Sequence, residues 1–418
     1  MKTGKHSSDK KDTILTISEA LDIIKNNIPE ILTEVVSLEE SIGKYLAKDI
    51  LAPEPSPRYT NSAMDGYALR WQDVLNASPD SPALLQLVGE SQAGMQFEGT
   101  VSPGQAVRIS TGAVLAPGCD TVVRVEDTKE ENGTVHIYNV RSLGQDVRFK
   151  GEEFTTGETL LTRGLRLTAA RAALLAGVGV ETVAVCKPCK VAILVTGSEL
   201  VSVGEKIADD QIRDSNMIML EAAVREAGGK VVRCIRIEDE AKATYQAIAE
   251  TDADIILCTG GVSVGRHDHV KNAATENGYT PLFWRIRQKP GKPLYFARKG
   301  KTLLFGLPGN PVSAFMCYNH YVRPLITALN GLSFGWPMVP GELLDDISNN
   351  GKRPNMIRVE LKWRPNRGHS ITHAAKQGSH MLTSLAHADG YIILEPGQSV
   401  KKGDRIDVYR YDFMREPV

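Results

Sequence analysis

Three segments in the middle third of the chain share one grammar, in which an apolar β-branched run stops at a small or glycine-rich turn and a polar or charged group follows. They are Val191-Ala-Ile-Leu-Val195-Thr-Gly-Ser-Glu199, Ile255-Ile-Leu-Cys-Thr259-Gly-Gly-Val-Ser-Val-Gly265-Arg-His-Asp268 and Leu303-Leu-Phe-Gly-Leu-Pro308-Gly-Asn310-Pro-Val-Ser313. In a parallel α/β sheet such turns lie at the carboxyl ends of strands, where backbone N–H groups and helix N-termini converge on a ligand that is usually anionic. The pattern therefore predicts a phosphate or other oxyanion held between several loops.

The chain has 418 residues, and at roughly 100 to 200 residues per domain this predicts two to four domains. Lys and Arg number 49 against 50 Asp and Glu, a net charge of −1. No overall field then draws the protein to nucleic acid or to an anionic membrane, and any basic site must be local. No apolar stretch reaches the roughly 18 residues needed to cross a bilayer, and Met1 to Asp12 lack the apolar core of a secretory leader. A cytoplasmic protein is expected. The close pair Cys186-Lys-Pro-Cys189 joins two strand-like runs and reads as a plain turn, not as a redox or zinc motif.

Residues 17–31 carry apolar positions at Ala20, Leu21, Ile24 and Ile28, the spacing of an amphipathic helix, with Ser18 as its expected N-cap. Short alternating runs such as Ala106-Val-Arg-Ile-Ser110 and Thr121-Val-Val-Arg-Val125, punctuated by Gly, Pro and Asn-Gly, predict a small β unit. A second helical pattern at 168–176 follows it. Between 190 and 330 strands alternate with helices at 217–227, 241–249 and 269–275, which predicts a doubly wound, mostly parallel sheet. Its last helix has Asn310 as N-cap and Pro311 at the first position. The fold class expected is multidomain α/β plus β: a helical linking domain (13–58 with 145–189), an inserted small β domain (59–144), an α/β domain (190–331) and a C-terminal β-barrel-like domain (332–418).

The turn Gly260-Gly-Val-Ser-Val-Gly265 can curl into a concave set of backbone donors from Gly260, Gly261, Ser263 and Gly265, with Lys271 neutralising a phosphate. It matches neither the Walker loop nor the dinucleotide fingerprint. Taken alone, a tight turn with solvated charges explains it too. Glu199, Asp268 and either Asp239 or Asp214 each follow a predicted strand, and oxygen ligands gathered beside phosphate are what Mg²⁺ requires. Singly, each carboxylate would equally serve a helix N-terminus. Arg285, Arg287, Lys289 and Lys292 punctuate 284–293, as in a hairpin that cradles an anion or in an edge strand protected by charge. No nucleophile, base and orienter stand together, and the histidines lack metal spacing.

Six strings are more specific than their physics. Asn61-Ser-Ala-Met-Asp-Gly-Tyr-Ala68, Arg108-Ile-Ser-Thr-Gly-Ala113, Thr196-Gly-Ser-Glu-Leu200, Gly260 to Gly265 with Asp268 and Lys271, Lys289-Pro-Gly-Lys-Pro293 and Gly306-Leu-Pro-Gly-Asn-Pro-Val-Ser313 follow one another as in a single family. Over 14–408 the chain resembles the molybdopterin molybdenumtransferases, the MoeA family that includes the gephyrin E domain. The resemblance implies an elongated four-domain homodimer that takes adenylylated molybdopterin and molybdate, uses Mg²⁺, releases AMP and leaves molybdenum on the dithiolene. It assigns catalytic roles to Asp65, Thr111, Glu199, Asp268 and Lys289, and metal contact to Glu199, Asp239 and Asp268. Arg148 lies in the matching basic stretch, and Pro308 and Pro311 shape the cleft. Molybdate is assigned to Lys289, Lys292, Ser313, Arg358 and Ser379, cations and hydroxyls suited to a compact dianion.

The chain departs from the family pattern with Tyr59-Thr60 for Phe-Asp, Glu153 for Asp, Ser198 for an acidic residue and Arg285 for Lys. The expected activity is transfer of molybdenum into adenylylated molybdopterin by positioning and electrostatics. The rival readings are a molybdopterin adenylyltransferase, which is also a possible partner, and a non-catalytic scaffold that retains the fold.

Overall fold

The computed structural model describes residues 14–262, 269–374 and 376–411. By contact density the chain forms two units, Val35–Val185 and the combination of Met1–Glu34 with Cys186–Val418.

In the larger unit a six-stranded sheet has the order Lys230–Ile237, Lys190–Thr196, Ile255–Thr259, Thr302–Leu307, Tyr295–Lys299, Thr280–Trp284. The first four strands run parallel, Tyr295–Lys299 pairs antiparallel to Thr302–Leu307, and Thr280–Trp284 pairs antiparallel to Tyr295–Lys299. Side chains alternate across a strand, so the odd positions Val191, Ile193, Val195, Ile255 and Leu257 enter one core while Ala192, Leu194, Ile256 and Cys258 enter another. Burial on both faces is why these runs are continuously apolar. Helices Asn216–Glu226 and Pro311–Cys317 cover the first face, and Ala241–Ala249 and His269–Glu276 the second. Chain order reverses between Lys190–Thr196 and Ile255–Thr259, the switch point where open α/β sheets bind ligands.

The first helix, Ile17–Lys25, buries Ala20 and Ile24 in this α/β core and so belongs to the larger unit, whereas 35–58, with which it was expected, belongs to the other. Its cap is Thr16 and not Ser18. Thr16 Oγ1 accepts from Glu19 N at 3.2 Å, and Glu19 Oε2 accepts from Thr16 N at 2.8 Å. This capping box needs an acid three residues on, and Ser18 would have met Leu21 there. The final helix is interrupted by a π turn, Tyr318–Val322, before Arg323–Leu329. Pro324 follows at once, and a proline lacks the N–H that an unbroken α ladder would use. The segment 284–293, expected as a hairpin of alternate cations, is the irregular connection between the antiparallel strands. Ile286 and Gln288 are buried there, while Arg287, Lys289 and Lys292 are exposed.

The chain closes with a five-stranded barrel, Met338–Leu343, Gly368–His373, Asn355–Arg364, Gly390–Leu394 and Arg405–Arg410. His320 of the π turn joins it to the α/β part. Its Nδ1 lies 2.7 Å from the Tyr391 hydroxyl, its ring stacks on Trp336 at 4.8 Å, and Nε2 has no partner among the described residues.

In the unit Val35–Val185, a six-stranded sheet has the order Thr121–Arg124, Gly66–Leu69, Gln105–Ile109, Ala83–Ser91, Thr134–Ile137, Thr128–Glu131. The linking segments beside it contain one helix, Ala169–Gly177, and short strand pairs such as Ile50–Leu51 with Thr159–Leu161. Turns at Gly151, Gly157 and Gly164, all with positive φ, keep these pieces short. The six cysteines form no disulfide. Among the described residues no helix is long and apolar enough to cross a membrane.

Burial holds the His320 pKa down from 6.5 to about 3. The unfolded chain therefore takes up a proton that the folded one refuses. This contribution is complete above pH 6.5 and falls away as pH drops toward 3, by up to ~1.4 kcal/mol per pH unit. In urea titrations at pH 5 and 7, His320→Gln is expected to show a smaller loss of stability on acidification than the parent. An identical pH dependence would contradict the burial account.

Candidate functional site

The carboxyl ends of four parallel strands open on one cleft of about 460 Å³. Thr196, Gly197, Glu199 and Leu200 line it at the end of Lys190–Thr196, Asp239 after Lys230–Ile237, Thr259, Gly260, Gly261 and Val262 at the end of Ile255–Thr259, and Pro308, Gly309, Asn310 and Pro311 after Thr302–Leu307. Ile212, Arg213, Asp214, Ser215 and Asn216 add the entry to the Asn216–Glu226 helix.

Hydrogen bonds tie these loops together. Asn216 Nδ2 donates to Thr259 Oγ1 at 2.9 Å and to the Gly309 carbonyl at 2.7 Å, and Thr259 Oγ1 donates to the Pro308 carbonyl at 3.2 Å. Gly260 and Gly261 have φ of +87° and +61°, a backbone form that L side chains rarely adopt. A Cβ on Gly260 would also meet the Thr196 carbonyl oxygen, and one on Gly309 would lie 3.7 Å from Gly260 Cα. The glycines let two loops meet backbone to backbone.

The structure thus gathers Glu199, Asp239, Gly260, Gly261, Pro308, Asn310 and Pro311 on one cleft. Ser263, Gly265 and Asp268 lie outside the described residues. Asn310 stands at the helix start, but its side chain makes no cap; Nδ2 donates to Ser379 Oγ at 3.4 Å. Ser313 is buried in that helix. Lys271 Nζ stands 3.3 Å from the centroid of Trp284, and the Arg285 guanidinium stands 3.7 Å from the same ring.

Lys289 lines a second cavity of about 450 Å³ with Ser348, Lys352, Arg353 and Asn355. Its backbone N–H donates to Pro354 O at 2.8 Å and its carbonyl accepts from Met356 N at 2.8 Å, which fixes it to the barrel. Lys292 is held through its carbonyl, which accepts from Ile286 N at 2.9 Å. Arg358 is fully buried; Nε donates to Ser384 Oγ at 3.1 Å and one terminal nitrogen to the Lys376 and Gly378 carbonyls at 3.2 and 3.3 Å. The other terminal nitrogen has no partner among the described residues. Burial lowers the pKa of this guanidinium from its ordinary value.

In the other unit, Asp65 Oδ1 accepts from the backbone N–H of Thr111 at 2.6 Å and from its hydroxyl at 3.0 Å. Arg148 is exposed on a short strand paired with Asn61–Ser62.

Three family models match in chain order: "MoeA N-terminal region (domain I and II)" over 15–179, "Probable molybdopterin binding domain" over 192–328 and "MoeA C-terminal region (domain IV)" over 340–411. The chain is 34% identical to a molybdopterin molybdenumtransferase of Nostoc sp., covering 92% of this chain and 91% of the relative. The chain belongs to the MoeA family. A second relative in this family, a molybdopterin molybdenumtransferase of Bacillus subtilis, is 32% identical over 93% of this chain and 92% of its own length. The crystal structure of a molybdopterin biosynthesis MoeA protein from Pyrococcus horikoshii superposes with a TM-score of 0.85 at 28% identity. It covers 96% of this chain and 100% of that one.

Two polar residues of this MoeA-family cleft, Asn216 and Thr259, were not expected there from the sequence. Thr259 ends an apolar run and is 1% exposed. A hydroxyl at that place in a parallel strand was the available signal. Asn216 could have been found from Asp214-Ser-Asn216 at the start of a helical pattern.

Gly260→Ala would add both a strained φ and a backbone clash, a cost of roughly 2–4 kcal/mol. Urea unfolding compared with the parent measures it. Parental stability would mean that the close approach of these loops is not needed.

Proposed function

We propose that the protein is a molybdopterin molybdenumtransferase of molybdenum cofactor biosynthesis, inserting molybdenum from molybdate into adenylylated molybdopterin with release of AMP. The observation that carries this reading is the single cleft in which the glycine turn at 260–261, the 308–311 loop and the carboxylates Glu199 and Asp239 meet. The turn offers backbone N–H groups to a phosphate, while the acids face the same space. Arg358 supports the molybdate assignment, since a buried N–H without an acceptor among the described residues favours an oxyanion. Ser379 beside Asn310 connects that region to the rim of the cleft. Lys289, Lys292 and Ser313 complete the proposed anion set.

Glu199 and Asp239 are hard oxygen donors of the kind that hold Mg²⁺ together with substrate phosphates. Among the described residues no group of three His, Cys, Asp or Glu could hold a metal, and Asp268 lies outside them. A bound Mg²⁺ would supply neutralisation of phosphate charge. The chain's own part is to orient the phosphoanhydride against molybdate and to exclude water from it, so that cleavage frees AMP as the dithiolene sulfurs take the metal. Homodimerisation, catalytic use of Asp65 and Thr111, and binding of the molybdopterin substrate by Arg148 belong to the same proposal.

Mixing the protein with adenylylated molybdopterin, molybdate and Mg²⁺ is expected to release AMP in step with molybdenum incorporation, followed by chromatography. Glu199→Gln, at an exposed position, should lower that rate by about 10²-fold or more with its melting temperature kept. Absence of AMP release from an intact ligand would contradict the assignment.

A further inference from the structure

We propose that Asp214 and Asn216 form an acceptor-only subsite in the wall of the cleft, which selects the substrate by two neighbouring N–H or O–H groups. The inference rests on the function proposed above and says which end of the substrate this wall holds.

Asp214 and Asn216 are 6% and 7% exposed, and both line the cleft. Asp214 Oδ1 accepts from Met217 N at 3.0 Å and so caps the Asn216–Glu226 helix. Among the described residues nothing donates to its Oδ2 or to Asn216 Oδ1. The amide cannot be turned round to remove this orphan. Asn216 Nδ2 serves the Gly309 carbonyl, which only accepts, and Thr259 Oγ1, whose own proton goes to Pro308 O. A flipped amide would set oxygen against oxygen, so Oδ1 is held as an acceptor.

Buried acceptors without donors are costly, and native proteins leave few of them. Both residues line one cleft, their orphan oxygens lie buried in its wall, and one of the two is a carboxylate. An anionic group is therefore repelled at this wall, and a group rich in donors is favoured. The phosphate is left to the glycine turn at 260–261. Leu200 and Ile212, which line the same cleft, offer apolar contact to a ring. Two parts of the proposed substrate present suitable donors: the pyrimidinone edge of the pterin, with a ring N–H beside an amino group, and the vicinal hydroxyls of the ribose.

Asp214→Asn tests this with little change of shape. Its Oδ1 can still cap Met217 N, while an NH₂ replaces the accepting oxygen. The full-length protein would be titrated calorimetrically with AMP, with 2′,3′-dideoxy-AMP and with pterin, each with and without Mg²⁺. The variant is expected to melt within a few degrees of the parent and to lose at least tenfold in affinity for one probe. A loss confined to pterin assigns the wall to the pyrimidinone edge. A loss for AMP, with dideoxy-AMP bound equally by both proteins, assigns it to the ribose. Equal affinities for all probes in a folded variant would overturn the proposal, as would an effect that vanishes without Mg²⁺, which would make these oxygens metal ligands. Should Asp214→Asn fail to fold, Asp214→Ser retains a capping hydroxyl and removes the orphan oxygen, with the same readings. Binding of no probe by the parent protein would remove the functional reading itself, a result distinct from parent and variant binding alike.

Discussion

A parallel sheet covered on both faces leaves polar chemistry one place to emerge, the ends of its strands, and here the side chain of Asn216 joins those ends. Its amide reaches Thr259 and Gly309 together, and Thr259 passes the link to Pro308. The two donated bonds fix the spacing of the loops after Ile255–Thr259 and Thr302–Leu307 relative to the helix Asn216–Glu226. Each would contribute only about 0.5–1.5 kcal/mol net. Their larger consequence is geometric, because the open space among these loops is the cleft itself.

The cleft has a polarity that follows from its parts. Peptide N–H groups at the glycine turn favour negative charge, whereas Asp214, Asp239 and Glu199 line the same volume with negative charge of their own. A ligand that satisfies both needs a phosphate and either donor groups or an accompanying cation. An adenylylated pterin has phosphates, amino groups and hydroxyls in one molecule. This match, with membership of the MoeA family, is what favours the transferase reading.

The strands and their terminal turns were legible because burial on two faces writes an uninterrupted apolar run, as at Val191 to Val195, and a glycine turn ends it. The cleft acids Glu199 and Asp239 could be read by the same rule, since each stands just beyond a strand. Other features depended on contacts distant in sequence. Lys289 is placed by backbone pairing with 354–356 of the barrel, and nothing near it in the chain announces that cavity. The one nitrogen of Arg358 without a partner among the described residues follows from the fit of 376–384 around its guanidinium. Helix Ile17–Lys25 showed its apolar stripe plainly, yet not that the stripe would pack on strands more than a hundred and fifty residues away.

Hydrogen–deuterium exchange of the full-length protein, with and without AMP and Mg²⁺, tests most directly whether the strand-end loops enclose the ligand. Slower exchange is predicted together in the peptides covering 196–200, 212–216, 259–262 and 308–311. Protection that spares these loops while appearing elsewhere on the chain would contradict the account.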